Sequence, residues 1–255
     1  MKRILVWISI VAATTCVAAR PAATGFDLKL RLAVGDRLFE HHYQTDRVEW
    51  KLPKRRLQPF IRAGVIIHEE RHTVAVLRAR VDAVQDGTAT LSGDVSASTL
   101  DVPRHENTTV HQTFVARLTG NNLPQPLDHP AIEDAAAIGL PRHAVRIGSC
   151  WDVRTPVTTE LGSGFVLFHH CLQSRDGDLL RISISGNGTI TGSEYHLPKL
   201  LPGSIEVVGA AWYDLANGLI TQESYRIHDR LLKPAEHERI GFDQILDVDV
   251  STRRQ

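Results

Sequence analysis

Short runs of β-branched or alternating apolar residues, separated by turn dipeptides, dominate this chain. A period of two with such punctuation predicts antiparallel strands rather than helices or βαβ units. Asp86-Gly87 separates Thr73 to Val84 from Thr88 to Val95, and Asp176-Gly177 separates Phe165 to Leu172 from Leu179 to Ser185. Asn217-Gly218 stands between Ile205 to Leu215 and Leu219 to Ile227. Asp-Gly and Asn-Gly supply the positive φ values that tight hairpins need. Gly186-Asn187-Gly188, after Leu180 to Ser185, reads as a fourth turn. In the last strand, Gln244 to Val250, Leu246, Val248 and Val250 share one face and Asp247 and Asp249 the other, the pattern of a half-buried strand. One helix is predicted, from Pro130 to about Ile138, with Asp128 as a nearby cap, Glu133 and Asp134 in its first turn, Gly139 as terminator and Pro141 beyond.

That helix divides the chain. On either side of it the sequence repeats weakly: Val34 to Leu38 resembles Ile147 to Trp151, and the Asp86-Gly87 hairpin resembles the Asp176-Gly177 hairpin. The fold class expected is mainly β, an antiparallel curved sheet or half-barrel of two related halves. The halves are residues 20–127 and 144–255, joined by a helix and linker over 128–143.

Residues 1–19 read as a cleavable signal peptide. Lys2 and Arg3 precede the apolar run from Ile4 to Ala13, and the small residues Val17 and Ala19 precede a cut before Arg20. Cys16 follows Thr14 and Thr15, where lipoprotein signals carry Ala or Gly, which favours cleavage over lipid attachment. No later stretch is long and apolar enough to span a bilayer, so no transmembrane span is expected in the mature chain. Lys plus Arg and Asp plus Glu stand at 29 each, so no overall field draws the protein to nucleic acid. Recognition, where it occurs, is local.

Export places Cys150 and Cys171 in an oxidising compartment, where an isolated pair predicts a disulfide. If Ser149 to Val157 and Gly164 to Gln173 form a hairpin turning near Glu160 and Leu161, Cys150 lies opposite Cys171 and Trp151 opposite His170.

Two motifs offer metal chemistry. His68-Glu69-Glu70-Arg71-His72 has the H-E-x-x-H spacing of zinc metallopeptidases, in which His68 and His72 would bind the metal and Glu69 would act as base. That chemistry needs a helix, whereas Ile66, Ile67 and Thr73 to Leu77 are largely β-branched and predict a strand across residues 65 to 84. His169-His170-Cys171 could bind a soft metal together with Cys150, but a disulfide would consume both thiolates. His41-His42 would alternate faces on a strand and could not chelate alone. Arg47, Lys51, Lys54, Arg55, Arg56 and Arg62, with Trp50 and Phe60 interleaved, form a candidate patch for an anionic partner such as lipid head groups, an envelope polymer or a protein. The alternative there is a solvated loop, which Pro53 and Pro59 suit. The sequence carries no Gly-x-Ser-x-Gly elbow and no phosphate-binding glycine loop, and no cofactor is expected.

Gly139-Leu140-Pro141 to Val145, then Gly148 to Trp151, long hairpins, and Trp212-Tyr213-Asp214 before Asn217-Gly218 resemble secreted bacterial proteins of unassigned function with a twofold β-rich repeat. More distantly they resemble the half-barrels of Lol-type lipoprotein carriers. The resemblance implies a curved antiparallel sheet that folds over a helix and shelters an acyl chain, and it carries over no catalytic residues. The sequence thus favours an exported, periplasmic or secreted, non-catalytic protein with an apolar or amphipathic ligand, or an envelope or protein partner, on its concave face. The alternatives are a secreted zinc peptidase centred on His68, Glu69 and His72, and a structural or interaction module.

Overall fold

The computed structural model describes residues 25–64, 66–122, 139–159, 162–193, 200–234 and 239–255. The predicted signal peptide, the predicted helix from Pro130 to Ile138 and the turn at Glu160 and Leu161 lie outside the described residues. Among the described residues ten strands form one antiparallel, open, curved sheet: β1 (Arg37–Lys51), β2 (His68–Gln85), β3 (Thr88–Asp101), β4 (Glu106–Thr119), β5 (Cys150–Thr159), β6 (Gly162–Asp176), β7 (Leu179–Ser193), β8 (Leu200–Asp214), β9 (Leu219–Pro234) and β10 (Arg239–Arg254). Their order across the sheet is β4-β3-β2-β1-β10-β9-β8-β7-β6-β5. Strands pair with their sequence neighbours except at one seam, where β1 lies against β10; β4 and β5 are the edges. Among the described residues no helix is long and apolar enough to cross a membrane.

Alternation along the strands sends every second side chain to the concave face. From β6 to β10 those positions are largely apolar, and Val166, Ile182, Ile205, Ala211, Leu231 and Val248 belong to one buried cluster. Each aliphatic side chain so buried contributes about 1.5–3 kcal/mol by leaving water. A smaller cluster of Leu38, Ala79, Val81, Ala89, Leu91 and Leu219 sits at one end of the β1–β3 side.

A strap, residues 25–36, covers this inner face. Phe26 exchanges two backbone hydrogen bonds with Val145 (2.7 and 2.9 Å), and Leu28 is completely buried. The Leu30 amide donates to Gly120 O and the Arg31 amide to Gly218 O, both at 2.8 Å, so the strap bridges the end of β4 and the β8–β9 hairpin. The Tyr213 hydroxyl donates to Lys29 O at 2.6 Å and accepts from the Lys29 amide at 3.1 Å. Arg254 fastens the same corner by donating to Arg31 O (2.7 Å) and Asn217 O (2.6 Å) while pairing with Asp36 at 3.1 Å.

The segments leading into β1 and β5 share one local geometry. Gly35 and Gly148 have φ of 93° and 87°, a region that glycine occupies without strain. Gly35 N donates to Val81 O and Val81 N to Asp36 O; Gly148 N donates to Leu172 O and Leu172 N to Ser149 O. In both cases the register of the receiving strand shifts immediately afterwards, at Val81/Ala83 and at Leu172/Ser174.

Three local expectations need correction. Gly186-Asn187-Gly188 is not a turn but the middle of β7. These glycines permit close approach of a neighbouring strand, since a Cβ on Gly186 would lie 2.8 Å from Val166 Cγ1 and one on Gly188 would lie 2.1 Å from Phe165 O. The β6–β7 turn falls on Gly177 and Asp178, because Asp176 already pairs with Leu179. The basic stretch is not a loop: Lys54–Arg62 forms helix α1, whose first turn accepts Leu57 N at Pro53 O and which ends at Gly64 with φ 78°. Pro59 lies inside it, and its missing N–H together with the run of charges hides the helix from a reading of periodicity.

Candidate functional site

A cavity of about 340 Å³ lies on the concave face, lined by the strap, β1, β2, β3, β9, β10 and the end of β4. That is the size of a small-ligand pocket. Strand β1 explains why space remains there. Its inward positions include Leu38 and Val48, both buried, but between them stand Glu40, His42, Gln44 and Asp46. His42 is paired with Ala75 on β2, and Ala75 with Ala97 on β3, so one row across three strands carries two methyl groups where larger side chains would fill the interior. Leu30, Leu118, Leu219, Ile220, Tyr225 and Val250 supply apolar wall.

Two carboxyl groups and a histidine line this cavity, Glu40, Glu223 and His42, together with the phenol of Tyr225. Burial pushes the Glu223 carboxyl up to about 8, and the neighbouring Glu40 adds to the shift. Burial also raises Glu40, against a hydrogen bond from Thr252 Oγ1 to its Oε2 at 3.3 Å. Burial lowers His42, and its Nε2 is buried without a hydrogen-bond partner. No Lys or Arg is among the described residues lining the cavity. Asp46, farther along β1, is buried differently: it accepts from Arg71 at 2.5 Å and from Gln244 at 2.8 Å. A buried carboxylate is costly unless paired in this way.

The H-E-x-x-H residues lie on β2 and do not converge. On a strand His68 and His72 share a face but stand roughly 13 Å apart along the backbone. Glu69 lies on the opposite face, where it pairs with Val48 across the ladder. The side chains also have other partners: His72 meets Glu70 at 3.1 Å, and Glu69 meets Arg104 at 3.8 Å. The geometry of a zinc peptidase helix is not formed.

Cys150 lies opposite Cys171 and Trp151 opposite His170, the predicted register. A disulfide joins the cysteines on the convex face. His169 lies beside it, with Nε2 3.3 Å from Cys171 Sγ and Nδ1 2.7 Å from Asp152 Oδ1. Among the described residues Cys150, His169 and Cys171 are the trio of metal-capable groups that converges, and the S–S bond occupies both sulfurs. His170 points inward, stacks on Trp151 at 5.5 Å and is lowered to about 4, chiefly by burial. Replacing both cysteines by serine is expected to cost about 2–3 kcal/mol, read as a shift of the urea midpoint, because a closed loop of this length removes that much chain entropy from the unfolded state.

The candidate anionic-partner residues divide between two elements. Arg47 pairs with Asp247 at 3.2 Å and Glu70 at 4.0 Å, and Lys51 pairs with Glu49 and, at 3.6 Å, with Asp243. Both belong to β1, whereas Lys54, Arg55, Arg56 and Arg62 belong to α1. His41 and His42 take alternate faces, and only His42 reaches the cavity.

No protein-family model matches the chain, and no curated protein matches it. Among solved structures, a cryo-EM structure of the ETEC pilotin–secretin AspS–GspD complex aligns over 86% of this chain and 48% of that chain, at 10% identity and a TM-score of 0.17. The chain thus spans about half the length of that protein, and at such a score the likeness says nothing about what either chain binds.

Proposed function

We propose that the protein is an exported, non-catalytic binding protein that shelters an apolar or amphipathic ligand in the cavity between the strap and the concave sheet. The observation that carries this reading is the cavity itself, with apolar walls and a few inward polar groups, the usual make-up of a small-molecule site. The matched lead-ins to β1 and β5 further support a chain built from two related halves, as the signal-like first 19 residues support export. Titration with an environment-sensitive apolar fluorophore tests the binding reading. Ala97→Trp, which fills the cavity from β3, is expected to weaken the fluorophore at least tenfold while leaving the melting temperature unchanged or higher. Equal binding by parent and variant would overturn the assignment.

A further inference from the structure

We propose that this cavity selects ligands that carry a cationic amine head on an apolar body, because Glu40 and Glu223 both line it and, among the described residues, no Lys or Arg lines it with them. The inference rests on reading the cavity as a ligand site. It goes further by assigning the chemical class of the ligand.

The two glutamates reach the cavity from opposite sides of β10. Glu40 on β1 is opposite Thr252, and Glu223 on β9 is opposite Val250, two residues along the same strand. The charged and titratable side chains lining the cavity are Glu40 and His42 from β1 and Glu223 and Tyr225 from β9. Thr73 from β2, Thr252 from β10 and Asn122 after β4 add neutral polar groups, while the strap contributes Leu30 and β3 contributes Val95 and Ala97. At three other carboxylates the protein supplies its own cation: Arg254 to Asp36, Arg71 to Asp46, and Arg226 and Arg47 to Asp247. The described lining of the cavity offers none to Glu40 or Glu223.

A primary ammonium has three N–H donors and no acceptor. Ionised Glu40 and Glu223 are acceptors lining one apolar enclosure, and the unpartnered Nε2 of His42 is a third in the tautomer that carries its proton on Nδ1. Bringing the ammonium there restores the counter-charge that burial of two carboxylates otherwise lacks. A ligand carboxylate would instead meet two acidic groups of its own sign, and an alcohol would supply a single donor and no charge.

Displacement of the apolar fluorophore by octylamine, octanol and octanoate tests this, since the three share a tail and differ in the head. Octylamine is expected to displace it at least tenfold more tightly than octanol at pH 8, with octanoate weakest. The preference should grow from pH 6 to pH 8, because below about 8 the amine must first expel the proton of Glu223. Glu223→Gln is expected to reduce the preference, and Glu40→Gln with Glu223→Gln to abolish it while fluorophore binding persists. Equal binding of octanol and octylamine, or an amine preference that survives both substitutions, overturns the proposal and leaves the cavity reading intact. Failure of all three to displace the fluorophore overturns it as well, and the Ala97→Trp titration then decides the cavity reading on its own.

Discussion

Replacing Glu223 by Gln raises the melting temperature of the ligand-free protein at pH 8 by about 6–12 °C, and at pH 4 parent and variant melt together. The folded carboxyl is pushed up to about 8, whereas an unfolded glutamate ionises near its ordinary value of 4.5. Between those values the folded chain holds a proton that the unfolded chain has released, so stability falls as pH rises and the fall stops once both states are ionised. Over that window the penalty is about 3 kcal/mol after allowance for solvent reaching the cavity. Glu40 is raised as well and acts with the same sign. His42 and His170 act oppositely: burial lowers both, so they cost stability only as pH falls below 6.5, equally in parent and variant. Calorimetry at pH 4, 6 and 8 reads the difference. An offset of equal size at every pH would mean that the amide helps through packing and that the carboxyl is not held protonated.

Leu28→Ala should destabilise the protein by about 3–4 kcal/mol, the cost of a cavity left by a fully buried leucine. Leu28 is completely buried in the larger cluster, together with Leu140 and Val145. The strap is also held by hydrogen bonds at Val145, Gly120, Gly218, Tyr213 and Arg254 and by the partly buried Phe26, Leu30 and Leu32, but Leu28 is its one completely buried side chain. Urea unfolding measures the loss, and limited proteolysis should find the strap cut first in the variant. A loss below about 1 kcal/mol would show that the strap collapses into the gap and is seated loosely.

Much of the sheet was legible from turn chemistry. Asp86-Gly87 forms the predicted hairpin, with φ of 49° and 73°, and Asn217-Gly218 lies in the loop between β8 and β9. The alternation of Leu246, Val248 and Val250 identified their strand, and hairpin symmetry identified the Cys150–Cys171 register. Glycine failed as a guide where it serves close approach, as at Gly186 and Gly188. The candidate site was largely missed for a different physical reason. An inward-facing strand is recognised by apolar residues at every second position, and β1 breaks that rule at Glu40, His42, Gln44 and Asp46. The signal was nevertheless present: Leu38 and Val48 frame these polar residues with the same parity, and Glu223 shares parity with Tyr225, Ile227 and Leu231. Polar residues in the phase of a core are where a strand's packing has yielded to another demand.

The seam between β1 and β10 also governs when this protein can exist. Leu38 is paired with Arg254 and Lys51 with Gly241, so the middle of the sheet is closed by the first and last of the described strands. A ribosome must therefore release β10, about 200 residues after β1, before that ladder can form, and contacts so distant in sequence assemble slowly. Until then β1 has only β2 beside it, and its inward acids and histidine remain in water. The hairpins of β2 to β4 and of β5 to β9 need no such wait, so two ready-made sheets meet at this seam, and the cavity takes shape only when β10 joins them.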